Sequence, residues 1–498
     1  MAEERLVEPA AKFPHRTRIG LVGTLSGRQV LLVGAALLLL LGLSHGAGNP
    51  IKTIAVTLPI WGPLLALGLG TYADIPFCDW VTWYFIFHGR KLMGQTIFRR
   101  RPGSSSIAKA GTLVLQGGLV RLRMIEEHGS GAIVLDPKLK NMIAVLKVDP
   151  QSFVLEDTSV KDQRVDSWAT LLGGLHAHQG LVGVQVLLTT SASSPRAVLD
   201  YADDHGMQGN APWVRENLVT LLDGIRTTTL IHESYLVVAL STQTLARMIK
   251  DHGGGPEAQF AVMRRELVAV SSGLEDAGLG RPVWLNGRDV ARLIREAYDP
   301  ASSADIANRD GTFEGVDPRS AGPMGFVEHP KFIETDGMFA STWEITEWPR
   351  NVVPASFMAP LVNMDFPHTL SMTYQPRSNR RAQKEINSQL STIQAEEIRK
   401  TRRDEKATTV YQRDLEKGDI AQRMADLASG YGELEFTGTV TVYGDGPDRL
   451  DAAESALREA AGKCSMDIRR MTLQQEQGFN ITTLPLGLKL RIKSTEVG

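Results

Sequence analysis

Two long uncharged stretches near the N-terminus constrain this chain more than any other feature. From Gln29 to Ser44 there is no formal charge, with an unbroken leucine run from Leu37 to Leu41. From Thr53 to Ala73 the chain is again uncharged for about 21 residues. At 1.5 Å per residue, about 20 apolar residues cross the roughly 30 Å hydrocarbon core of a bilayer. The spacing therefore predicts a transmembrane helical hairpin over 29–73, preceded by a polar leader over 1–28. A cleaved signal peptide fits less well, because the basic leader is long and a second apolar segment follows at once. Lys12, Arg16, Arg18 and Arg28 precede the pair, and Arg90, Lys91, Arg99, Arg100 and Arg101 follow it, whereas the link from His45 to Lys52 holds one positive charge. This asymmetry predicts an inner (plasma) membrane protein with both termini cytoplasmic. Pro59 and Pro63 predict a kink in the second helix, and Gly62, Gly68 and Gly70 are candidate close-packing positions against another membrane helix.

The juxtamembrane segment, 74–104, carries a second signal. Trp80, Trp83, Tyr84 and Phe87 recur at helical spacing and are followed by Arg90 and Lys91. Aromatic bodies beside basic residues suit a helix lying along the inner face of a bilayer, with Arg99, Arg100 and Arg101 over anionic headgroups. Packing of the aromatic stripe on the rest of the protein is the alternative.

The remaining four hundred or so residues are polar enough to be a globular cytoplasmic body. Of the 498 residues, 54 are Lys or Arg and 56 are Asp or Glu, so no whole-molecule field draws in nucleic acid. Two cysteines exclude a disulfide framework and a four-cysteine zinc site. Strand signals at 119–125, 132–135 and 142–148 are followed by a helix with Val165, Trp168, Leu172 and Leu175 on one side. A strand then alternates through Val182, Val184, Val186 and Leu188. Asn286 is the predicted N-cap of a helix burying Val290, Leu293, Ile294 and Ala297. These elements form a first α/β domain over 105–300. The Ser-, Asp-, Gly- and Pro-rich stretch at 301–330 reads as a linker or exposed loop.

A second α/β unit follows over 331–498, with strands at 338–348, 369–374 and 434–442 and a helix started by Pro447. Its segment 376–428 is densely charged and poor in glycine, and reads as a long charged helix serving as a crossover. The predicted class is α+β: a transmembrane hairpin followed by ferredoxin-like α/β units with mainly antiparallel sheets.

A search for chemistry yields little. Gly462-Lys463-Cys464 lacks the earlier glycine and the hydroxyl of a phosphate loop and sits at a helix end. His176 with His178, and Asp203, Asp204 and His205, are donor clusters without the spacing of a known metal motif. Neither cysteine has a nearby histidine in a thiol-nucleophile pattern. No catalytic residue, metal ligand or cofactor is assigned. Trp343 and Trp348 flank Glu344 and Glu347 in a strand, where core packing explains them better than a binding platform.

The order of these features, with the phrases Ala297-Tyr298-Asp299-Pro300, Trp343 to Pro349, Tyr374-Gln375-Pro376 and Leu484-Pro485-Leu486-Gly487, resembles a family of actinobacterial integral membrane proteins found with conjugative elements. The hairpin is similar to the small PrgI-type membrane subunit of conjugation systems. The soluble part is similar in layout to the N-terminal, non-motor region of a TraC/TraE-type conjugation ATPase. The resemblance implies a noncatalytic scaffold of a type IV secretion-like apparatus, with the lipid bilayer, a separate ATPase and sister membrane subunits as partners. It leaves room for homo-oligomers and implies no direct nucleic-acid contact. A type VII-like secretion subunit and a membrane-anchored enzyme are the alternatives.

Overall fold

The structure is a computed structural model. It describes residues 10–11, 25–44, 50–72, 75–101, 111–119, 122–127, 131–149, 156–192, 212–225, 230–309, 314–349, 351–377 and 434–488, with single positions between 383 and 424. The chain divides into two compact units. One comprises Met1–Pro14 and Ile97–Lys489, the other His15–Thr96 and Leu490–Gly498.

The smaller unit is helical. Helix α1 (Gly27–Ser44) and helix α2 (Pro50–Leu69) lie side by side. A two-residue hairpin, β2 (Thr71–Tyr72) and β3 (Ile75–Pro76), turns the chain into helix α3 (Phe77–Leu92). Ser26 and Gln29 form a reciprocal cap at the start of α1: the Ser26 N–H donates to Gln29 Oε1 at 2.9 Å, and the Gln29 N–H to Ser26 Oγ at 3.2 Å. The Gln29 side chain then donates to the Gly68 carbonyl, 2.9 Å away, and Arg28 pairs with Asp79 at 3.6 Å.

These contacts correct the expected transmembrane hairpin: among the described residues, no helix is long and apolar enough to cross a membrane. The physical reason lies at the helix ends. The first turn of α1 is held by Arg28 and Gln29, leaving Val30 to Leu43 as the apolar stretch, about 21 Å long at 1.5 Å per residue. The uncharged run from Thr53 to Ala73 is cut at Leu69, where α2 ends, and Thr71 and Tyr72 leave the helical path for β2.

The larger unit is built on one antiparallel sheet. Its strands, in chain order, are β4 (Ile97–Arg99), β5 (Arg123–Glu127), β6 (Gly131–Asp136), β7 (Asn141–Val148), β8 (Leu181–Ala192), β9 (Leu230–Ser241), β10 (Val283–Trp284), β11 (Gly325–Glu328), β12 (Ile333–Thr335), β13 (Met338–Glu347), β15 (His368–Pro376), β16 (Leu434–Gly444) and β17 (Asp467–Arg470). The two-residue β14 (Val353–Pro354) pairs separately with β1 (Ala10–Ala11). The spatial order is β4-β11-β12-β13-β16-β15-β8-β9-β7-β6-β5, with β10 on β7 and β17 on β13.

Strand β7 is buried over most of its length and β9 from Tyr235 to Leu240, as expected for apolar strands covered on both faces. On one face lie α8 (Gly287–Tyr298) and α12 (Gln475–Thr483), sharing a core with Leu187, Val237 and Phe479. The other face carries α4 (Thr158–Gly174), α7 (Gly255–Asp276) and α11 (Pro447–Lys463), over Val184, Leu236, Leu370 and Val440. Smaller helices are α5 (Pro212–Ile225), α6 (Ala246–Asp251), α9 (Ser303–Ala307) and α10 (Ala359–Val362).

The sheet has an internal pseudo-two-fold. With α5, α6 and β14 set aside as insertions without a counterpart, the succession β5-β6-β7-α4-β8-β9-α7-β10-α8 repeats as β11-β12-β13-α10-β15-β16-α11-β17-α12. The registers match residue by residue. Met142 opposite Leu240 has its counterpart in Phe339 opposite Gly444, and Lys147 opposite Val283 in Glu344 opposite Arg469. Gln185 opposite Val237 corresponds to Thr369 opposite Thr441. The axis passes between Leu187 and Ser371, which face each other across β8 and β15. Pro300 and Pro485, each two residues after its helix, stop the chain at matching places.

This architecture corrects two further expectations. The two α/β halves are not separate ferredoxin-like domains but one continuous sheet, and residues 301–330 contribute Ile306, Val316, Ala321 and Phe326 to its core rather than acting as a linker. Residues 377–433 join β15 to its antiparallel neighbour β16, so the charged segment is an insertion between paired strands and not a crossover. Apart from single positions, the predicted long helix itself lies outside the described residues.

Candidate functional site

Three gatherings of buried polar groups on the sheet unit hold the side chains best placed for a site. The first ties α8 to the sheet. The N-cap at Asn286, whose Oδ1 accepts the N–H groups of Arg288 and Asp289 at 2.9 and 3.0 Å, sets the phase of α8. Arg292 then pairs with Glu296 of its own helix at 3.1 Å and reaches the sheet at Glu233, 3.4 Å away, and at the Tyr235 hydroxyl, 3.1 Å away. Lys147 Nζ lies 2.7 Å from the other oxygen of Glu233, and the Tyr235 hydroxyl donates to Glu233 at 2.8 Å. Burial opposes the charge of Glu233, but Arg292 and Lys147 outweigh it and hold the carboxyl at about 2. Burial pushes Glu296 the other way, to about 7, against the pull of Arg292. These groups saturate one another, so the cluster fastens a helix to its sheet.

The second joins the paired helices. The Tyr298 hydroxyl donates to Gln116 Oε1 at 2.5 Å, and the Gln116 amide donates to Asn480 at 2.7 Å. The Tyr443 hydroxyl donates to the Ala297 carbonyl at 3.1 Å, and the rings of Tyr298 and Phe479 lie 5.4 Å apart.

The third is a row across three strands. His232 on β9, Thr190 on β8 and His368 on β15 are consecutive register partners on one face. Thr190 Oγ1 is 2.9 Å from His232 Nδ1 and 3.4 Å from His368 Nε2. His368 is 2% exposed, and its Nδ1 meets the Phe366 carbonyl at 2.8 Å. A carbonyl only accepts, so Nδ1 carries the proton and Nε2 keeps its lone pair. Burial pushes the imidazole down to about 4.

The structure separates the residues singled out for membrane contact. In α3, Phe87 is buried and Trp80 and Trp83 are half-buried; Trp80 Nε1 donates to the Tyr72 carbonyl, and the two indoles meet edge to face at 5.5 Å. Tyr84 is exposed, and so are Phe77, Val81, Phe85, Ile86 and Leu92 of the same helix. Arg90 is half-buried and Lys91 exposed. Arg99 and Arg101 are exposed at the β4 edge, while Arg100 donates to the Arg319 carbonyl.

The glycines divide too. A Cβ on Gly68 would lie 2.7 Å from Val33, and one on Gly70 would lie 2.2 Å from the Phe77 ring, so both mark close approach between elements. At Gly62 the nearest atom is Leu58 of its own helix, at 3.6 Å.

The weaker metal candidates are also placed. His176 bonds the Gly173 carbonyl at 2.6 Å, and His178 bonds Glu266 at 2.8 Å. Asp203, Asp204 and His205 lie outside the described residues. Among the described residues, no group of three or more His, Cys, Asp or Glu side chains is arranged to hold a metal ion. Trp343 is a core residue, flanked by the guanidinium groups of Arg458 at 5.1 Å and Arg470 at 4.8 Å.

Sequence reasoning missed the His232–Thr190–His368 row because its members are far apart in the chain and meet only through strand register. The one local signal is the polar run Thr189-Thr190-Ser191 near the end of a strand that is apolar apart from Gln185. No protein-family model and no curated protein matches the chain.

Proposed function

We propose that this protein is a noncatalytic scaffold subunit of a conjugative, type IV secretion-like DNA-transfer apparatus, held at the membrane surface and docking a separate ATPase. The observation that carries the membrane side is the outer surface of the helical unit. Leu31, Leu38 and Leu41 of α1, Val56 of α2, and Phe85 and Leu92 of α3 are each more than 60% exposed. So many large apolar side chains on so small a unit call for an apolar environment or a partner. Lys91 beside Leu92 adds a cation at the boundary, the composition of a helix seated in a headgroup layer. The scaffold reading is supported by the sheet unit, whose buried ionisable groups on α8 are spent on one another.

Flotation with vesicles of anionic lipid tests the membrane side. The intact chain is expected to float with the vesicles. Replacing Val81, Phe85, Ile86 and Leu92 together by Ser is expected to leave most of it at the bottom of the gradient. Equal flotation of the two would overturn the membrane assignment.

A further inference from the structure

The pseudo-two-fold gives an internal control for every position in the sheet, and at one edge the two halves differ by a whole strand. Met124 opposite Val134 opposite Ile143 corresponds to Glu328 opposite Ile333 opposite Ala340, so Glu126 of β5 is the counterpart of Phe326 of β11. On β11 the outer edge is paired: Phe98 of β4 lies opposite Phe326, and the Arg100 N–H continues the ladder to the Met324 carbonyl at 2.9 Å. On β5 the Met124 N–H donates outward to the Gly111 carbonyl at 2.6 Å, and the described pairing ends there, at a left-handed residue (φ +75°). N–H and C=O groups alternate sides along a strand, so those of Glu126, two residues on, also point out of the sheet. Ala132, opposite Glu126 on β6, is likewise turned away from β5 and gives its N–H to the Leu285 carbonyl at 2.8 Å. Among the described residues, no strand pairs with this edge at Glu126.

We propose that this edge docks an extended segment of a partner protein, added to β5 as an antiparallel strand with a lysine or arginine opposite Glu126. An open edge offers main-chain hydrogen bonds to any extended segment, and the side chains beside it select among them. Glu126 is exposed, with its carboxylate against the first turn of α8, where a Cβ on Gly287 would lie 2.9 Å from Oε2. Burial, with the carboxylates of Glu314 and Glu126, pushes the nearby Asp289 up against the pull of Arg292 and Lys147, so the corner is acidic. A residue directly opposite Glu126 projects onto this same face, and opposite charges across a strand pair attract. Its two neighbours fall on the other face, beside Ile125, which packs on the core under α7, and Glu127, which Arg264 pairs at 2.6 Å. A second copy pairing through the same edge about a two-fold at Glu126 would set two carboxylates opposite each other, which selects against self-association. The site stands on the sheet unit and does not rest on the conjugation reading.

The test is amide exchange at residue resolution on the full chain, with the capped peptide Thr-Val-Lys-Val-Thr as probe. The Glu126 amide is expected to exchange as an open amide in the chain alone, and to slow at least about tenfold when the peptide is present. The same peptide with glutamate for lysine, or with a methyl on the lysine backbone nitrogen, is expected to leave it unchanged. In Glu126→Lys the preference should invert, the glutamate peptide now protecting the amide; the peptide series on the unaltered chain decides the matter if this variant folds poorly. A Glu126 amide already slow in the chain alone, no slowing by the lysine peptide, or equal slowing by the glutamate or N-methyl peptide would overturn the proposal.

Discussion

Gln185, in the middle of β8, accepts the backbone N–H of Gly487 at 3.0 Å, closing a loop of 302 residues. Its amide donates to the Ile481 carbonyl and to Ser371 Oγ, both at 3.0 Å. One fully buried side chain thus clasps the end of α12 and the Leu484–Gly487 segment onto the pseudo-two-fold axis.

Gln185→Leu keeps the volume but strands the Gly487 N–H and the Ile481 carbonyl away from water. We expect a loss of about 2–4 kcal/mol in chemical denaturation, against less than about 1 kcal/mol for Ser371→Ala, which leaves the clasp in place.

The pair Glu233 and Glu296 predicts a pH profile. Glu296 is raised to about 7 in the folded chain, so its contribution is complete below the unfolded value near 4.5 and is lost as pH rises through 7. Glu233 is lowered to about 2, so its contribution is complete above 4.5 and is lost as pH falls toward 2. Stability from this cluster should peak between these limbs. Glu296→Gln should flatten the upper limb, and Glu233→Gln the lower, in denaturant midpoints measured from pH 3 to 8.

Close approach in the helical unit predicts opposite outcomes for two glycines. Gly68→Ala forces its Cβ against Val33 and strains the Gln29 bond to the Gly68 carbonyl; a cost of about 1–3 kcal/mol is expected. Gly62→Ala meets only Leu58 at van der Waals distance and should be neutral or stabilising by up to about 1 kcal/mol. Amide exchange of α1 and α2 measures both.

Asn286→Ala removes the acceptor for two N–H groups at the start of α8 and should cost about 1 kcal/mol, with Asn286→Asp retaining most of it. This element shows what a sequence reveals. Its cap, its first-turn Asp289 and its apolar face at Val290, Leu293, Ile294 and Ala297 are all local signals, and all four face residues are buried. The start of α11 at Pro447, with Leu450, Ala453 and Leu457 inward, is legible for the same reason.

Register and order are not local. Nothing near Leu187 in the chain indicates Ser371 as its partner, so the fusion of the halves and the histidine row were out of reach. Residues 301–330 misled in the opposite direction. Their few apolar residues have no period, yet Val316 and Ala321 are buried because a 3-10 turn, capped by Asp317, delivers them to a core built by distant strands. The apolar runs at the N-terminus were read by length, but helix ends are set by contacts such as Arg28 with Asp79 and by the turn after Leu69.

The central claim is that this chain serves by holding partners. Its most direct test is copurification of the full chain from detergent-solubilised, cross-linked donor cells, followed by mass spectrometry. A conjugation-type ATPase and sister membrane subunits should be recovered with it in stoichiometric amounts. Recovery of the chain alone, or with small secreted helical-hairpin proteins in place of the ATPase, would contradict the account.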